Sequence, residues 1–181
     1  MIRIYDSPVI EIKALQAYAH KCKVMRDTTC EKSPYVMIVA MEPHNTRIRV
    51  RYAETDQMGI VHHKNYYVWM EVARVELCDA MGFRYRDMER NHGVLLAVIE
   101  SSCRYVSSAR FDDEVLIHTR ISEANSRMIR FAYDMTVEGR AVASGETRHI
   151  FLSREMKPMR VPSQYRTFFG LPPQAIVNSV G

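Results

Sequence analysis

Nowhere in the 181 residues does an apolar run approach the roughly 20 residues that a membrane-spanning helix needs; stretches such as Val94 to Ile99 are only strand-sized. No stable membrane insertion is expected. A secretory leader is missing from the amino terminus, where Asp6, Glu11 and Lys13 interrupt what would have to be its apolar core, so the cytoplasm is the expected compartment. Cysteine is scarce: Cys22, Cys30, Cys78 and Cys103 form no Cys-x-x-Cys pair and have no histidine at zinc-like spacing. That excludes a disulfide scaffold, leaves reduced thiols, and makes Cys78 and Cys103 small core residues. Charge of one sign does not dominate either, because 25 Lys and Arg stand against 21 Asp and Glu for a formal +4. Such a balance suits an anionic small molecule and gives no reason to expect a nucleic-acid partner.

What is present fits one domain with one core, since 47 % of the residues are hydrophobic. Residues 1–43 are poorly patterned and read as an extension, either disordered or lying upstream of a true start at Met41. Ile48, Val50 and Tyr52 then alternate with Arg47, Arg49 and Arg51, the period of two of a half-buried strand. From Asn65 to Met81 the apolar positions Trp69, Ala73, Leu77 and Met81 recur every four residues, and Gly82 follows. This predicts a long helix with a broad buried face and a glycine stop. Four strand-like segments come next: Val94 to Val106, one around Val115 to Ile121, one around Ile129 to Val137, and Ala141 to Leu152. Glu138 and Gly139 make the last hairpin turn, and Gly145 marks a bulge or a crowded contact. The expected architecture is α+β: one strand, one helix, then a four-strand antiparallel meander. One helix covers a five-strand sheet incompletely, so self-association as a homodimer or homotetramer is expected.

The loop between the first strand and the helix holds Glu54, Asp56, Gly59, His62, His63 and Asn65 within a dozen residues. Asp56 could activate a water or attack an acyl carbon, Gly59 would let backbone approach a ligand, and the helix start would aim N–H groups at a developing oxyanion. The plainer alternatives are a turn aspartate and a backbone-bonded histidine. Adjacent loop histidines rarely converge on one ion, so no metal and no cofactor is expected. Glu100 interrupts its strand and reads either as a second acid or as the partner of an arginine on the same face. Arg104, Arg110, Arg127, Arg130 and Arg148 are candidates to meet phosphates, or simply solubilise the surface.

The string RYAETDQMGIVHHKNYYVWMEVAR, followed by ESSCRYVSSARFDDEV, resembles the 4-hydroxybenzoyl-CoA thioesterase branch of the hotdog-fold thioesterases, including the Tol-Pal-associated type. The likeness implies a long central helix wrapped by a curved antiparallel five-strand sheet over residues 44–161, with 162–181 as a tail. It places the essential carboxylate on Asp56 and the following His-or-Tyr position on His63. It further implies that Gly59, Val61, His62, Asn65, Tyr66, Glu100 and Arg110 bind substrate, and that Glu71, Ala73, Arg74 and Glu76 match the helix motif. The implied activity is hydrolysis of acyl-CoA to free acid and CoA; a non-catalytic acyl-binding module is the alternative. An enoyl-CoA hydratase fits less well, because its Asp-x4-His spacing is not found between Asp56 and either histidine.

Overall fold

The computed structural model describes residues 42–173, so the expected extension over 1–43 lies almost wholly outside them. Strand β1 (His44–Arg49) leads through a 3-10 turn (Tyr52–Glu54) and a loop to helix α1 (Lys64–Ala80). A short helix α2 (Tyr85–Arg90) precedes β2 (Leu95–Tyr105), β3 (Glu114–Ala124), β4 (Met128–Val137), β5 (Arg140–Leu152) and a last helical turn α3 (Ser163–Arg166). All five strands form one antiparallel sheet in the order β1-β3-β4-β5-β2.

This order corrects the expected four-strand meander. Only β3, β4 and β5 run as consecutive neighbours, while β2 crosses over to pair with β5 and becomes an edge. Strand propensity carries no information about which strand is the partner; both edges of β3 are taken, by β1 and β4, and Leu95 to Tyr105 pairs with the 13-residue β5 instead. The first strand also ends earlier than its alternation suggests. The chain turns at Arg51, so Tyr52 is 78 % exposed and stacks edge-on against Phe111 with centroids 5.5 Å apart.

Helix α1 buries Tyr66, Trp69, Met70, Ala73 and Leu77 in one cluster with Ile117, Phe131, Met135 and Phe151 of the sheet. The segment expected as a tail adds Tyr165, Phe169 and Leu171 to that core, through Phe169 packing against Phe83 and Phe151. The opposite sheet face is wet and carries cross-strand ion pairs, Arg120 to Asp134 and Arg130 to Glu146. Glu138 and Gly139 both have positive φ, 50° and 78°, as a two-residue hairpin turn matching the sheet twist requires.

Gly145 lies opposite Cys103 and Tyr133 in a regular ladder, so it is the crowded contact and not a bulge. A Cβ there would run into the terminal methyl of Met70 and come within 2.8 Å of the Ser102 carbonyl oxygen. Met70 can shift but the strand backbone cannot, so Gly145→Ala is expected to cost about 1–3 kcal/mol in urea unfolding, incompletely recovered by adding Met70→Ala.

Candidate active site

Two hydrogen-bonded frames hold the loop between β1 and α1. In the first, Asp56 N–H donates to the Ile60 carbonyl and Gly59 N–H to the Asp56 carbonyl, both at 2.9 Å, closing a tight turn in which Gly59 takes φ +69°. Asp56 Oδ1 accepts the Met58 N–H at 2.8 Å. The turn reading of Asp56 is therefore correct as far as it goes, but one carboxylate oxygen remains outside that bond.

The second frame is centred on Glu54, which is only 3 % exposed. Its carboxylate accepts the Arg51 backbone N–H and guanidinium, each at 2.8 Å, and the indole N–H of Trp69 at 3.1 Å. Its carbonyl accepts the His62 N–H at 2.9 Å and the Asn65 side-chain amide at 2.7 Å. Burial pushes the Glu54 carboxyl up, but the hydrogen bonds from Arg51 and Trp69 outweigh it and hold the group below the ordinary glutamate value. Arg51 is largely exposed, so that pair adds little; the buried Trp69 donor carries most of the energy. Glu54→Ala is expected to cost about 2 kcal/mol in thermal or urea unfolding. It should also lower turnover, because the loop loses its tie to α1.

A cavity of about 250 Å³ opens beside this loop. Asp56, Met58, Ile60, Val61, His63 and Tyr66 line one side, and Tyr105, Val106, Ser107 and Ser108, from the end of β2 and the turn after it, line the other. Tyr66 and Tyr105 meet edge to face at 5.1 Å. The second wall is fixed by Arg140, which donates to the Ser107 hydroxyl and, at 3.2 Å, to the Ser108 carbonyl. His63 is the N-cap residue of α1 without making a side-chain cap, and its ring stacks on His62 at 4.2 Å.

Of the residues singled out in the sequence, the structure thus brings Asp56, Val61, His63 and Tyr66 to one cavity. Gly59 shapes the turn, with Arg110 packed over it, 3.9 Å from where a Cβ would sit. His62 accepts the Lys64 N–H weakly at 3.3 Å through Nδ1. Asn65 does not face the cavity, since its amide is committed to Glu54. Glu100 lies on the wet sheet face, where Arg148 stands 3.7 Å away, as the arginine-partner reading expected. The wall from Tyr105 to Ser108 was not singled out, and Glu54 was counted in the loop without a role of its own. The former adjoins the strand that crosses over, and the latter signals itself only through the Arg51-x-x-Glu54 spacing around a single turn.

A helix laid on a five-strand antiparallel sheet, with its amino terminus beside the cavity, is a hotdog fold, seen also in the solved relatives. Residues 50–169 match the thioesterase-like superfamily, and the chain belongs to it. It is 38 % identical over 122 residues to a Bacillus subtilis protein named "Putative acyl-CoA thioesterase YneP", covering 66 % of this chain and 88 % of that protein. The DHNA-CoA thioesterase of Staphylococcus aureus superposes with a TM-score of 0.64 at 33 % identity, over 66 % of this chain and 81 % of that one. The BH1999 gentisyl-coenzyme A thioesterase superposes with the same TM-score of 0.64 at 26 % identity, over 68 % of this chain and 99 % of that one.

Proposed function

We propose that the protein hydrolyses acyl-CoA thioesters to a carboxylic acid and CoA, with Asp56 as the reacting carboxylate, in the manner of the 4-hydroxybenzoyl-CoA and Tol-Pal-associated branch. The observation that carries this reading is the cavity itself: Asp56 and His63 stand at one wall of a mostly apolar space beside the start of α1, where His63 is the N-cap residue and makes no side-chain cap. A thioester needs little more. Its leaving thiol has a pKa of about 8.5, so it departs as thiolate without a strong general acid.

In the general-base route Asp56 takes a proton from water, the hydroxide oxygen bonds to the acyl carbon, and the negative charge on the former carbonyl oxygen develops beside the positive dipole end of α1, where the Lys64 and Asn65 N–H groups are already held by His62. Collapse breaks the C–S bond and releases CoA thiolate, which then takes up a proton. In the nucleophilic route an Asp56 oxygen bonds to the acyl carbon first and expels the thiolate, and water then opens the mixed anhydride. A single turnover in isotope-labelled water separates the two, because hydrolysis at the Asp56 side of the anhydride leaves an unlabelled enzyme oxygen in the first product.

The site is shared between two subunits in this reading. Among the described residues nothing pairs with the outer edge of strand β2, and Val98, Ile99 and Tyr105 along it are 52 %, 51 % and 46 % exposed. Such an edge is normally covered, and a second copy of β2 in antiparallel register would cover it. The test is thiol release from short, long and aromatic acyl-CoA substrates. Turnover of any class above the uncatalysed rate, lost in Asp56→Asn, supports the assignment, whereas tight acyl-CoA binding with no thiol release would make the chain a binding module.

A further inference from the structure

The two walls of the cavity are tied to each other and to the sheet by main chain. Val61 N–H on the first wall donates to the Ala109 carbonyl, just past the second, at 2.9 Å, and the Val106 and Ser107 N–H groups both reach the Val142 carbonyl of β5, at 2.9 and 3.2 Å. Arg140 pins Ser107 and Ser108 from the same strand. Side chains therefore set how far a ligand can enter. At about 250 Å³ the space lies below the roughly 300–1,000 Å³ of pockets that enclose a drug-sized ligand, so only the acyl end of a thioester fits.

One side chain stands between the walls. Tyr105 closes β2 opposite Ala143 of β5 and shares its side of the strand with Cys103, which packs against the core. Its ring reaches across to α1, where it meets Tyr66 edge to face at 72°, and its hydroxyl lies 3.4 Å from the His63 carbonyl, at the far limit of a hydrogen bond. Tyr66 cannot give way, because it is buried and packed in turn against Trp69 with centroids 5.0 Å apart. Tyr105 is half-exposed and lies outside the buried core cluster. A phenol ring has two torsions and a broad stiff face, whereas Met58, mostly exposed on the turn, bends. Among these residues Tyr105 is thus the one whose size can limit the cavity while the fold does not depend on it.

We infer that Tyr105 is the specificity-determining residue of this cavity: its ring, seated on Tyr66, ends the acyl space and restricts the substrate to acyl groups that stop short of it. The inference rests on the reading of the cavity as an acyl-CoA site. One methylene too many in an apolar pocket is worth about 10- to 200-fold in kcat/KM, so a fixed stop produces a sharp edge in chain length. The ring and not the hydroxyl supplies that stop, since the contact with His63 is long.

The experiment is thiol release by the full chain from straight-chain acyl-CoAs of about two to twelve carbons, read as kcat/KM against length. The parent is expected to show an edge, a drop of at least about tenfold within two added carbons. Tyr105→Ala is expected to move that edge to longer chains and Tyr105→Trp to shorter ones, while Tyr105→Phe keeps it in place whatever its absolute rate. Opposite movements cannot come from loosened packing, which lowers every length together. Melting curves and particle mass accompany each variant, and where Tyr105→Ala fails to fold, the Trp and Phe variants decide. A parent without an edge, an edge unmoved by Tyr105→Ala or by Tyr105→Trp, or a common fall at all lengths overturns the assignment. So does an edge that Tyr105→Phe moves as Tyr105→Ala does. A parent that releases no thiol overturns the hydrolase reading alone: calorimetric Kd values for the same series then show whether the edge exists and follows residue 105. Absence of binding at every length overturns both.

Discussion

Asp56→Asn is expected to lower kcat for acyl-CoA hydrolysis by about 10²- to 10⁴-fold with KM little changed. The substitution keeps the volume and leaves a side-chain oxygen to accept the Met58 N–H, so the turn through Gly59 survives. What it removes is the anionic charge of a carboxylate that lines the cavity, which either route requires. Matching melting curves and particle mass for variant and parent assign the loss to chemistry. His63→Ala should cost less, because the ring stacks on His62 and makes no hydrogen bond of its own among the described residues. The competing carboxylates are disposed elsewhere. Glu76 accepts the Thr46 hydroxyl at 2.6 Å, Glu100 stands by Arg148 on the wet face, and Glu71 is exposed on α1. Near-parental kcat in Asp56→Asn, combined with loss in Glu71→Gln, Glu76→Gln or Glu100→Gln, would move the reacting carboxylate out of the loop.

What could be read from the sequence was whatever depends on near neighbours. Helix α1 declared itself through the spacing of Trp69, Ala73 and Leu77, its stop through Gly82, and the last hairpin through Glu138 and Gly139. Gly145 was recognisable as special, but the reason, Met70 of α1 and the Ser102 carbonyl of β2 closing on it, belongs to tertiary packing. Pairing of β2 with β5 was not legible, since alternation specifies a face and not a neighbour. The cavity was half legible for the same cause. Asp56 to Tyr66 are one contiguous stretch of loop and helix start, whereas Tyr105 to Ser108 reach the site only because β2 crosses the sheet. Asn65 and Glu54 exchange their expected importance once the loop is folded, the first tying backbone and the second anchoring it to Trp69.

Acid sensitivity is expected to originate in the core and not at the cavity. His149 is fully buried on β5, and its Nε2 lies 2.9 Å from the Thr147 hydroxyl and 3.5 Å from Arg74 Nη1. A guanidinium only donates, so Nε2 is the acceptor and the imidazole is neutral. Thr147 in turn meets the Tyr133 hydroxyl at 2.8 Å. Protonating Nε2 would remove the acceptor and set a second cation against a buried guanidinium, which is only 6 % exposed and has no carboxylate partner among the described residues. Burial first, and Arg74 second, lower the His149 pKa from 6.5 to about 3. The unfolded chain therefore binds this proton throughout that interval while the folded chain does not, and stability falls as the pH falls below 6.5. Each pH unit costs about 1.4 kcal/mol. Glu54, also held below its ordinary value of 4.5, contributes the same sign only in more acid solution, so the window from pH 6.5 to 4.8 isolates the histidine. Urea unfolding at fixed protein concentration across that window should show this slope in the parent. In His149→Gln the curve should start lower at pH 7.5, since packing around Phe131 is disturbed, and run nearly flat through the same interval. Parallel slopes in the two proteins would mean that the proton goes elsewhere.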